Sequence, residues 1–373
     1  MSLYTLLATF SVFLFALMVG TFSSTEGPPQ VLAPSLSETI AIVRPSLPAL
    51  TTKEPATPLP EPESTSKKTE VASVPTATVQ KTVAPTPPPP PQPTQADFDV
   101  TANVLRAALI NILCISHDPR IHSTSGSGVI VDPRGVIITN AHIAQYFLLA
   151  EDPSLQVTCT IRTGGPAKPS YRARLMFISP SWVNTNVGVL SKTHPTGNGE
   201  GDFAFLAITE SITSTPLPTT YPFIPLAKGE ADADEPIVIG SYAAQFLTAN
   251  EVQSALYPTI VFGTVKAIFT FTERTIDVVA LGGSAAAQEG SSGGGIARAP
   301  GSLAGVITTS TIEGNTSTRN LSGITASYIR RNYTAETGST LEDLFAKSPS
   351  EAVNDFAPQT SALRAALTAA LQN

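Results

Sequence analysis

The stretch AQEGSSGGGIARAP, residues 287–300, decides how the rest of the sequence is interpreted. Two adjacent serines, Ser291 and Ser292, lie between glycines, and glycine–serine runs are commonly flexible linkers. The same composition also suits a tightly bent backbone that presents one hydroxyl, because only small residues allow so sharp a bend. A serine hydroxyl is a weak nucleophile that needs a neighbouring base, and the base needs a third group to orient it. The remainder of the chain therefore decides between the two interpretations.

Short β-rich runs precede and follow this stretch, separated by turn residues such as DPRG at 132–135. The first six runs are LINILCIS, SGVIVD, GVIITN, LQVTCTIRT, YRARLMFIS and DFAFLAI. The next six are PIVIGSY, TIVFGTVKAIF, TIDVVAL, GGIARA, LAGVITTST and LSGITAS. Two sets of six short strands predict an all-β protein with two barrels, rather than a sandwich or a βαβ array. Helical patterns are confined to IAQYFLLA after His142, to ASYIRRNY and to the C-terminal SALRAALTAALQN.

The N-terminal part of the chain differs from the rest in composition. Residues 1–22 contain the uncharged apolar run LYTLLATFSVFLFALMVGTF, and about 20 such residues span a bilayer. This run is either a retained transmembrane anchor or a cleaved signal segment, and either would place the rest of the chain outside the cytoplasm. Residues 23–96 are rich in Pro, Thr, Ser and Glu, which predicts a disordered, extended stalk. The globular part is predicted to span 97–340, followed by a short helical tail over 341–373.

Charge and cysteine content narrow the class of protein. A formal net charge of −7 argues against a nucleic-acid partner, which would favour a basic surface. Cys114 and Cys159 both lie in the globular part, which suits one disulfide in an oxidising compartment, with two buried free thiols as the alternative. His117 and His122 flank Asp118, but their spacing does not match a metal-ligand pattern. We therefore expect neither a metal site nor a cofactor.

Among the four histidines, His142 is the best placed to act as a base. It follows the apolar strand GVIITN directly, so it lies where a strand gives way to a helical turn. Asp202 precedes the strand in GDFAFLAI, a position that by itself is typical of an ordinary turn aspartate. Along the chain the order is His142, Asp202, Ser292, with the first two residues in the first set of strands and the serine in the second. A cleft between two barrels is where such groups would meet.

Several blocks of this sequence resemble the signature blocks of trypsin-like serine proteases, most closely those of the bacterial HtrA/Deg type. The blocks are GSGVIVDPRGVIITNAHIAQYF (126–147), GDFAFLAI (201–208), EGSSGGGIA (289–297), GVITTSTIEG (305–314) and LSGITASYI (321–329). The resemblance covers roughly residues 100–335. It implies a chymotrypsin-like fold of two six-stranded antiparallel Greek-key barrels, endopeptidase activity, and protein or peptide substrates.

The resemblance also implies a His-Asp-Ser triad that works through an acyl-enzyme. Ser292 directly precedes a glycine pair and so matches the nucleophile, while His142 matches the general base. Asp202 matches the residue that fixes the imidazole tautomer. The N–H groups of Gly290 and Ser292 would form the oxyanion hole. A catalytically inactive barrel that serves as a stalked surface binding module is the alternative, which the presence of all three triad residues disfavours.

The chain departs from the family pattern at several points. Gly295 stands where a proline usually follows the glycine pair. Ser291 stands where digestive-type enzymes place an acid that pairs with a new N-terminus, which suggests that no such zymogen switch operates. The spacer over 183–201 before Asp202 is longer than expected. No PDZ-like domain is expected after the barrel, unlike in a typical HtrA protein.

The resemblance further predicts a substrate pocket and a disulfide. In this family, segments matching 282–290 and 305–311 form walls of the pocket for the side chain before the cut. The predicted lining residues are Ala286, Glu289, Val306, Ile307 and Thr308. Because Ala286 stands where an acid would select Lys or Arg, and Glu289 should be solvated at the rim, we expect a preference for Ala, Val or Leu. The first and fourth strands of such a barrel are neighbours, which would pair Cys114 with Cys159.

Overall fold

The computed structural model describes residues 92–192, 197–272, 274–310 and 314–372. The predicted anchor or signal segment lies outside the described residues, as does all but the last few residues of the predicted stalk. Across the described helices, none combines the length and the apolarity needed to cross a bilayer. The description below therefore concerns the globular part.

A closed antiparallel barrel of six strands follows the first helix, in the order β1-β2-β3-β6-β5-β4. Its strands are β1 (Leu109–Ser116), β2 (Thr124–Asp132), β3 (Val136–Thr139), β4 (Val157–Thr163), β5 (Lys168–Ile178) and β6 (Ala204–Ser211). Each corresponds to one of the six predicted runs. Strand β3 is buried at every position, whereas β5 is largely exposed at its start and buried at its end. The barrel interior is therefore filled by aliphatic and aromatic side chains, as expected of a small barrel.

The second sheet has seven strands in the order β8-β7-β11-β12-β13-β10-β9. They are β7 (Pro236–Ser241), β8 (Thr259–Thr264), β9 (Ala267–Phe269), β10 (Val278–Gly282), β11 (Gly295–Arg298), β12 (Ser302–Ser310) and β13 (Leu321–Thr325). The prediction of two antiparallel barrels is confirmed, although the second sheet is barrel-like rather than closed by a hydrogen-bonded seam. Its two edge strands, β8 and β9, follow each other in the chain, so the sheet curls back on itself.

The predicted run TIVFGTVKAIF is split into β8 and β9 because its backbone changes partner. The N–H of Val265 donates to the carbonyl of Glu235 at 3.0 Å, next to β7. One residue later, the N–H of Lys266 donates to the carbonyl of Ala280 in β10 at 2.7 Å. A single apolar run thus supplies both edges of the sheet, which is why six predicted runs give seven strands.

Seven α-helices lie outside the sheets in the described ranges. They are α1 (Gln95–Ala108), α2 (Ala141–Ala150), α3 (Pro180–Thr185), α4 (Ala249–Ser254), α5 (Ala326–Thr337), α6 (Leu341–Ala346) and α7 (Pro349–Ala370). Helix α1 was not predicted, although its start carries a capping box: Thr94 accepts from the N–H of Asp97, and Asp97 accepts from the N–H of Thr94. Leu105 of α1 packs against Gly240 and Gly295. A Cβ added to either glycine would lie 2.8 Å from a methyl carbon of Leu105. The helix therefore approaches the second sheet closely at two glycines.

The predicted C-terminal helix is present, and it packs against the first barrel. Helix α7 has 22 residues and begins well before the predicted SALRAALTAALQN, with Ser348 as its N-cap and Pro349 in its first turn. Phe356 is buried and its ring centroid lies 6.0 Å from that of Phe177 in β5. Pro358 lies inside this helix without ending it. The predicted helix is therefore present but starts earlier in the chain, because α7 packs against β5 and β6 of the first barrel.

Cys114 and Cys159 lie directly opposite each other in the register of β1 and β4. Their Sγ atoms are bonded at 2.04 Å. The predicted adjacency of the first and fourth strands is therefore confirmed, and the bond cross-links two neighbouring strands of the first barrel.

Candidate active site

His142 lies in the first turn of α2, immediately after β3. Asn140 is the N-cap residue of this helix, and its side-chain amide donates to the backbone carbonyl of Asp202 at 2.9 Å. Gln145, one turn further on, donates to the carbonyl of His142 at 2.9 Å. The strand-to-helix transition predicted from the sequence thus holds the histidine on a rigid support, next to the loop that carries the aspartate.

The carboxylate of Asp202 is held by three donors. Oδ1 accepts from the backbone N–H of His142 at 2.9 Å, and Oδ2 lies 2.8 Å from Nδ1 of the same residue. The hydroxyl of Thr308 donates to Oδ2 at 2.7 Å. Because an ionised carboxylate only accepts hydrogen bonds, the contact assigns the proton of the imidazole to Nδ1. The other ring nitrogen, Nε2, is then free to accept a proton.

Burial and charge act on Asp202 in opposite directions. Burial raises the pKa of this carboxyl, but the charge of His142 and the hydrogen bonds from His142 and Thr308 together outweigh it. The net result is a pKa below the ordinary value of an aspartate. The carboxylate is therefore ionised at neutral pH although its side chain is almost fully buried.

The serine-containing loop is fixed to both sheets. The carbonyl of Ser292 accepts from the N–H of Ser127 in β2 at 2.8 Å, and the N–H of Gly293 donates to the carbonyl of Ile307 in β12 at 2.9 Å. Gly293 has a φ of +84°, and a Cβ there would lie 2.0 Å from the carbonyl oxygen of Ser127. Only glycine fits at this position. Most of this stretch is buried or half-buried and hydrogen-bonded, which excludes its interpretation as a flexible linker.

The same strands bring the serine loop and the histidine–aspartate pair together. Ile307, which binds the loop, is followed by Thr308, which binds Asp202. Ser127, which binds the carbonyl of Ser292, accepts from the hydroxyl of Thr139 at the end of β3. Within the part of the chain that the structure describes, no hydrogen bond joins Ser292 Oγ to the imidazole. In free enzymes such contacts are often long and tighten only with substrate.

The two backbone N–H groups predicted to form an oxyanion hole are both unengaged. Among the described residues, no group accepts a hydrogen bond from the N–H of Gly290 or of Ser292. Gly290 has a φ of +86°, in the left-handed region that favours glycine. The chain thus presents two free donors beside the serine hydroxyl.

Comparison with known families gives a match to the part of the chain that holds these residues. Residues 126–306 match the family model described as a trypsin-like peptidase domain. The chain carries a trypsin-like peptidase domain. No curated protein matches the sequence.

Two solved structures illustrate what the chain is similar to. The active form of the Rv3671c protease from M. tuberculosis is 19% identical, with a TM-score of 0.41 over 69% of this chain and 95% of that chain. An inactive form of the same protease is 16% identical, with a TM-score of 0.40 over 67% of this chain and 99% of that chain.

The residues predicted to line the substrate pocket of the peptidase domain lie in different environments. Ala286, Val306 and Ile307 are buried, whereas Glu289 is exposed at the surface, as expected for a rim residue. The hydroxyl of Thr308 is bound to the carboxylate of Asp202. Thr308 therefore supports the histidine–aspartate pair, a role that the sequence analysis did not assign to it.

Arg319 is a further residue of the peptidase domain that no sequence pattern singled out. Its buried guanidinium donates to the carbonyl of Ala287 at 2.7 Å, to the carbonyl of Gly314 at 2.9 Å and to the side chain of Gln245. It also lies 5.9 Å from the ring centroid of Phe246. Arg319 thus connects the segment before the serine loop with two other loops, a set of contacts between residues too distant in sequence to form a motif.

Proposed function

We propose that the peptidase domain is a serine endopeptidase in which Ser292 is the nucleophile, His142 the general base and Asp202 the residue that orients the imidazole. The observation that carries the proposal is the contact of Asp202 with both Nδ1 and the backbone N–H of His142.

In the proposed reaction, Ser292 Oγ attacks the carbonyl carbon of the scissile peptide bond while its proton passes to Nε2 of His142. The carbonyl oxygen takes up negative charge next to the N–H groups of Gly290 and Ser292. When the C–N bond breaks, His142 returns the proton to the leaving amine, and the acyl group stays on Ser292. Water then attacks the ester, with His142 again accepting and returning a proton.

Asp202 has two tasks in this scheme. It keeps the Nδ1 proton in place, so that Nε2 faces the serine, and it stabilises the imidazolium that forms during attack. The hydroxyl of Thr308 supports both tasks because it gives the carboxylate a further donor and fixes its orientation. The lowered pKa of Asp202 supports this role, since a protonated carboxyl could not stabilise the imidazolium.

The proposed substrates are proteins or peptides that place a small or medium apolar side chain before the cut. Ala286, at the position where an acid would select Lys or Arg, is apolar and buried, and Val306 and Ile307 add no charge. A digest of a peptide library should therefore give cleavage mainly after Ala, Val or Leu, with broad selectivity because one methylene changes binding by only ~1–3 kcal/mol. Cleavage mainly after Lys or Arg would contradict this pocket.

We further propose that the peptidase domain works outside the cytoplasm, tethered through the apolar run at residues 3–22. The disulfide supports an oxidising compartment. Sequencing the N-terminus of the protein isolated from cells tests the tether. A soluble form that begins near Thr21–Thr25 would show that the segment is a cleaved signal instead.

Casein cleavage by matched serine variants tests the proposed activity. We expect Ser292→Ala and His142→Ala each to lower the rate by several powers of ten, because the triad acts as a unit. Ser291→Ala is the control and should keep most of its activity, since among the described residues its hydroxyl forms a hydrogen bond with that of Ser241 alone. Loss of activity in Ser291→Ala but not in Ser292→Ala would show that Ser291, and not Ser292, is the nucleophile. An inactive but folded wild-type chain would favour the binding-module alternative.

A further inference from the structure

The direction of the two free N–H groups, those of Gly290 and Ser292, is set by the carbonyl group of the same peptide unit. In a trans peptide the C=O and the N–H point in opposite directions, so fixing one fixes the other. The carbonyl of Glu289 accepts from the N–H of Ala244 at 2.8 Å, which turns the N–H of Gly290 the opposite way. The carbonyl of Ser291 accepts from the N–H of Gly294 at 2.9 Å, which turns the N–H of Ser292 away from Gly294.

The peptide between these two is held by a side chain from the other sheet. The hydroxyl of Ser127 donates to the carbonyl of Gly290 at 2.7 Å, although the two residues are 163 positions apart. The same oxygen accepts from the N–H of Tyr242 at 2.8 Å. Because the oxygen accepts from Tyr242, its own proton is directed at Gly290. The middle peptide of the serine loop therefore has one defined orientation.

Ser127 is itself fixed by its backbone and its surroundings. Its N–H donates to the carbonyl of Ser292 at 2.8 Å, and its carbonyl accepts from the hydroxyl of Thr139 at 2.7 Å. The side chain is fully buried, so water does not replace its hydrogen bonds. If the hydroxyl were removed, the carbonyl of Gly290 and the N–H of Tyr242 would both lose a partner inside the protein.

The loop has no ionic support of the kind that an acid before the nucleophile would give. Ser291 is buried and accepts a hydrogen bond from the hydroxyl of Ser241 at 3.1 Å. Around the two serines, the hydrogen bonds that fix the backbone carbonyls of Gly290, Ser291 and Ser292 come from neutral donors: the hydroxyl of Ser127 and the backbone N–H groups of Gly294 and Ser127. Among the described residues, Ser127 is the one whose side chain forms a hydrogen bond with the peptide between the two donors. The N–H of that peptide, on Ser291, donates to the backbone carbonyl of Gln288 at 3.2 Å.

We propose that Ser127 is a positioning residue whose hydroxyl keeps the N–H groups of Gly290 and Ser292 aimed at the oxyanion of the transition state. This inference rests on the proposed serine endopeptidase function. Ser127 touches no substrate atom in this scheme. It acts through the Gly290 carbonyl, and its effect should therefore appear in kcat and in transition-state affinity rather than in the binding of substrate.

The test compares Ser127→Ala with Ser125→Ala, which removes a hydroxyl from the same strand that binds the side chain of Asn111 instead. Two inhibitors of one apolar sequence are used: a peptide boronic acid, whose adduct places an oxygen in the oxyanion hole, and a peptide with its scissile amide reduced to CH₂–NH, which has no such oxygen. We expect Ser127→Ala to lower kcat and boronate affinity by about 10- to 100-fold, with KM and the affinity for the reduced peptide within about twofold. Ser125→Ala should change neither.

Equal losses for both inhibitors, or none for either, would overturn the inference. If Ser127→Ala does not fold, Ser127→Cys keeps the side-chain size while the thiol donates a weaker hydrogen bond, and the ratio of the two affinities should fall in the same direction. Labelling of the wild-type chain by a fluorophosphonate separates the two proposals. A wild-type chain that is not labelled contradicts the proposed function, whereas a labelled wild type with an unchanged affinity ratio in the variant contradicts the role of Ser127 alone.

Discussion

At the scale of single residues, Asp202 is the group on which the chemistry of the site depends. Asp202→Asn keeps the shape of the side chain but cannot hold the same imidazole tautomer or stabilise an imidazolium. We expect kcat to fall by about 10³- to 10⁴-fold with the fold retained. Asp355→Asn, at an exposed salt bridge on α7, is the control and should keep full activity. If the Asp202→Asn enzyme kept more than a tenth of the wild-type kcat, Asp202 would not have the assigned role of orienting the imidazole of His142.

The same residue predicts how stability depends on pH. The pKa of Asp202 is lower in the folded chain than in the unfolded one, so the ionised form stabilises the fold. This contribution is complete above the unfolded pKa of about 3.9 and is lost as the pH falls through the folded pKa. The difference in unfolding free energy between wild type and Asp202→Asn should therefore shrink on going from pH 7 to strongly acidic pH. Urea titrations at the two pH values measure this difference in unfolding free energy. A difference that does not change with pH would contradict the prediction.

The residues of the site differ in how readily the sequence reveals them. His142 and Ser292 lie in short local patterns that require a strand end or a glycine-rich bend, and such patterns can be recognised in one sequence. The contacts of Ser127, Thr308 and Arg319 join residues far apart in the chain, and nothing local marks them. Ser127 does lie within the block GSGVIVDPRG, but its task becomes visible only when the serine loop is folded against β2.

At the scale of elements, the disulfide between β1 and β4 should stabilise the first barrel. It joins positions 45 residues apart, and closing a loop of that length stabilises by up to about 4 kcal/mol in the chain-entropy model. The double variant Cys114→Ser/Cys159→Ser should therefore unfold at a lower urea concentration by an amount within that limit. Thiol titration of the unfolded, unreduced wild type checks the bond itself, and two reactive thiols would disprove it.

The elements themselves were predictable to different degrees. Alternation of apolar residues between turn signals located the strands of the first barrel, because each strand pairs along its whole length. The split of one run into β8 and β9 depends on partners near 235 and at 280, which the run itself does not specify. Helix α1 escaped prediction although its capping box was visible, because it ends at Ala108 and β1 begins at Leu109 with no turn signal between them.

At the scale of the whole molecule, α7 belongs to the core of the domain. Phe356 packs in a cluster of rings with Phe177, which also contacts Phe203 and Tyr333. We expect Phe356→Ala to lower the unfolding free energy by about 3–5 kcal/mol, measured by urea denaturation. Gln359→Ala, at an exposed position on the same helix, should change it by less than about 0.5 kcal/mol. Equal stability of the two variants would mean that α7 is a dispensable tail.

In the proposed reaction, the folded domain activates one particular serine. A fluorophosphonate forms a covalent adduct only with an activated hydroxyl, which displaces its fluoride, and peptide mapping by mass spectrometry locates the modified residue. We expect a single adduct on Ser292 in the wild-type chain and none in His142→Ala, while both proteins remain folded. An adduct on Ser291, or a folded wild-type chain that carries no adduct at all, would contradict it.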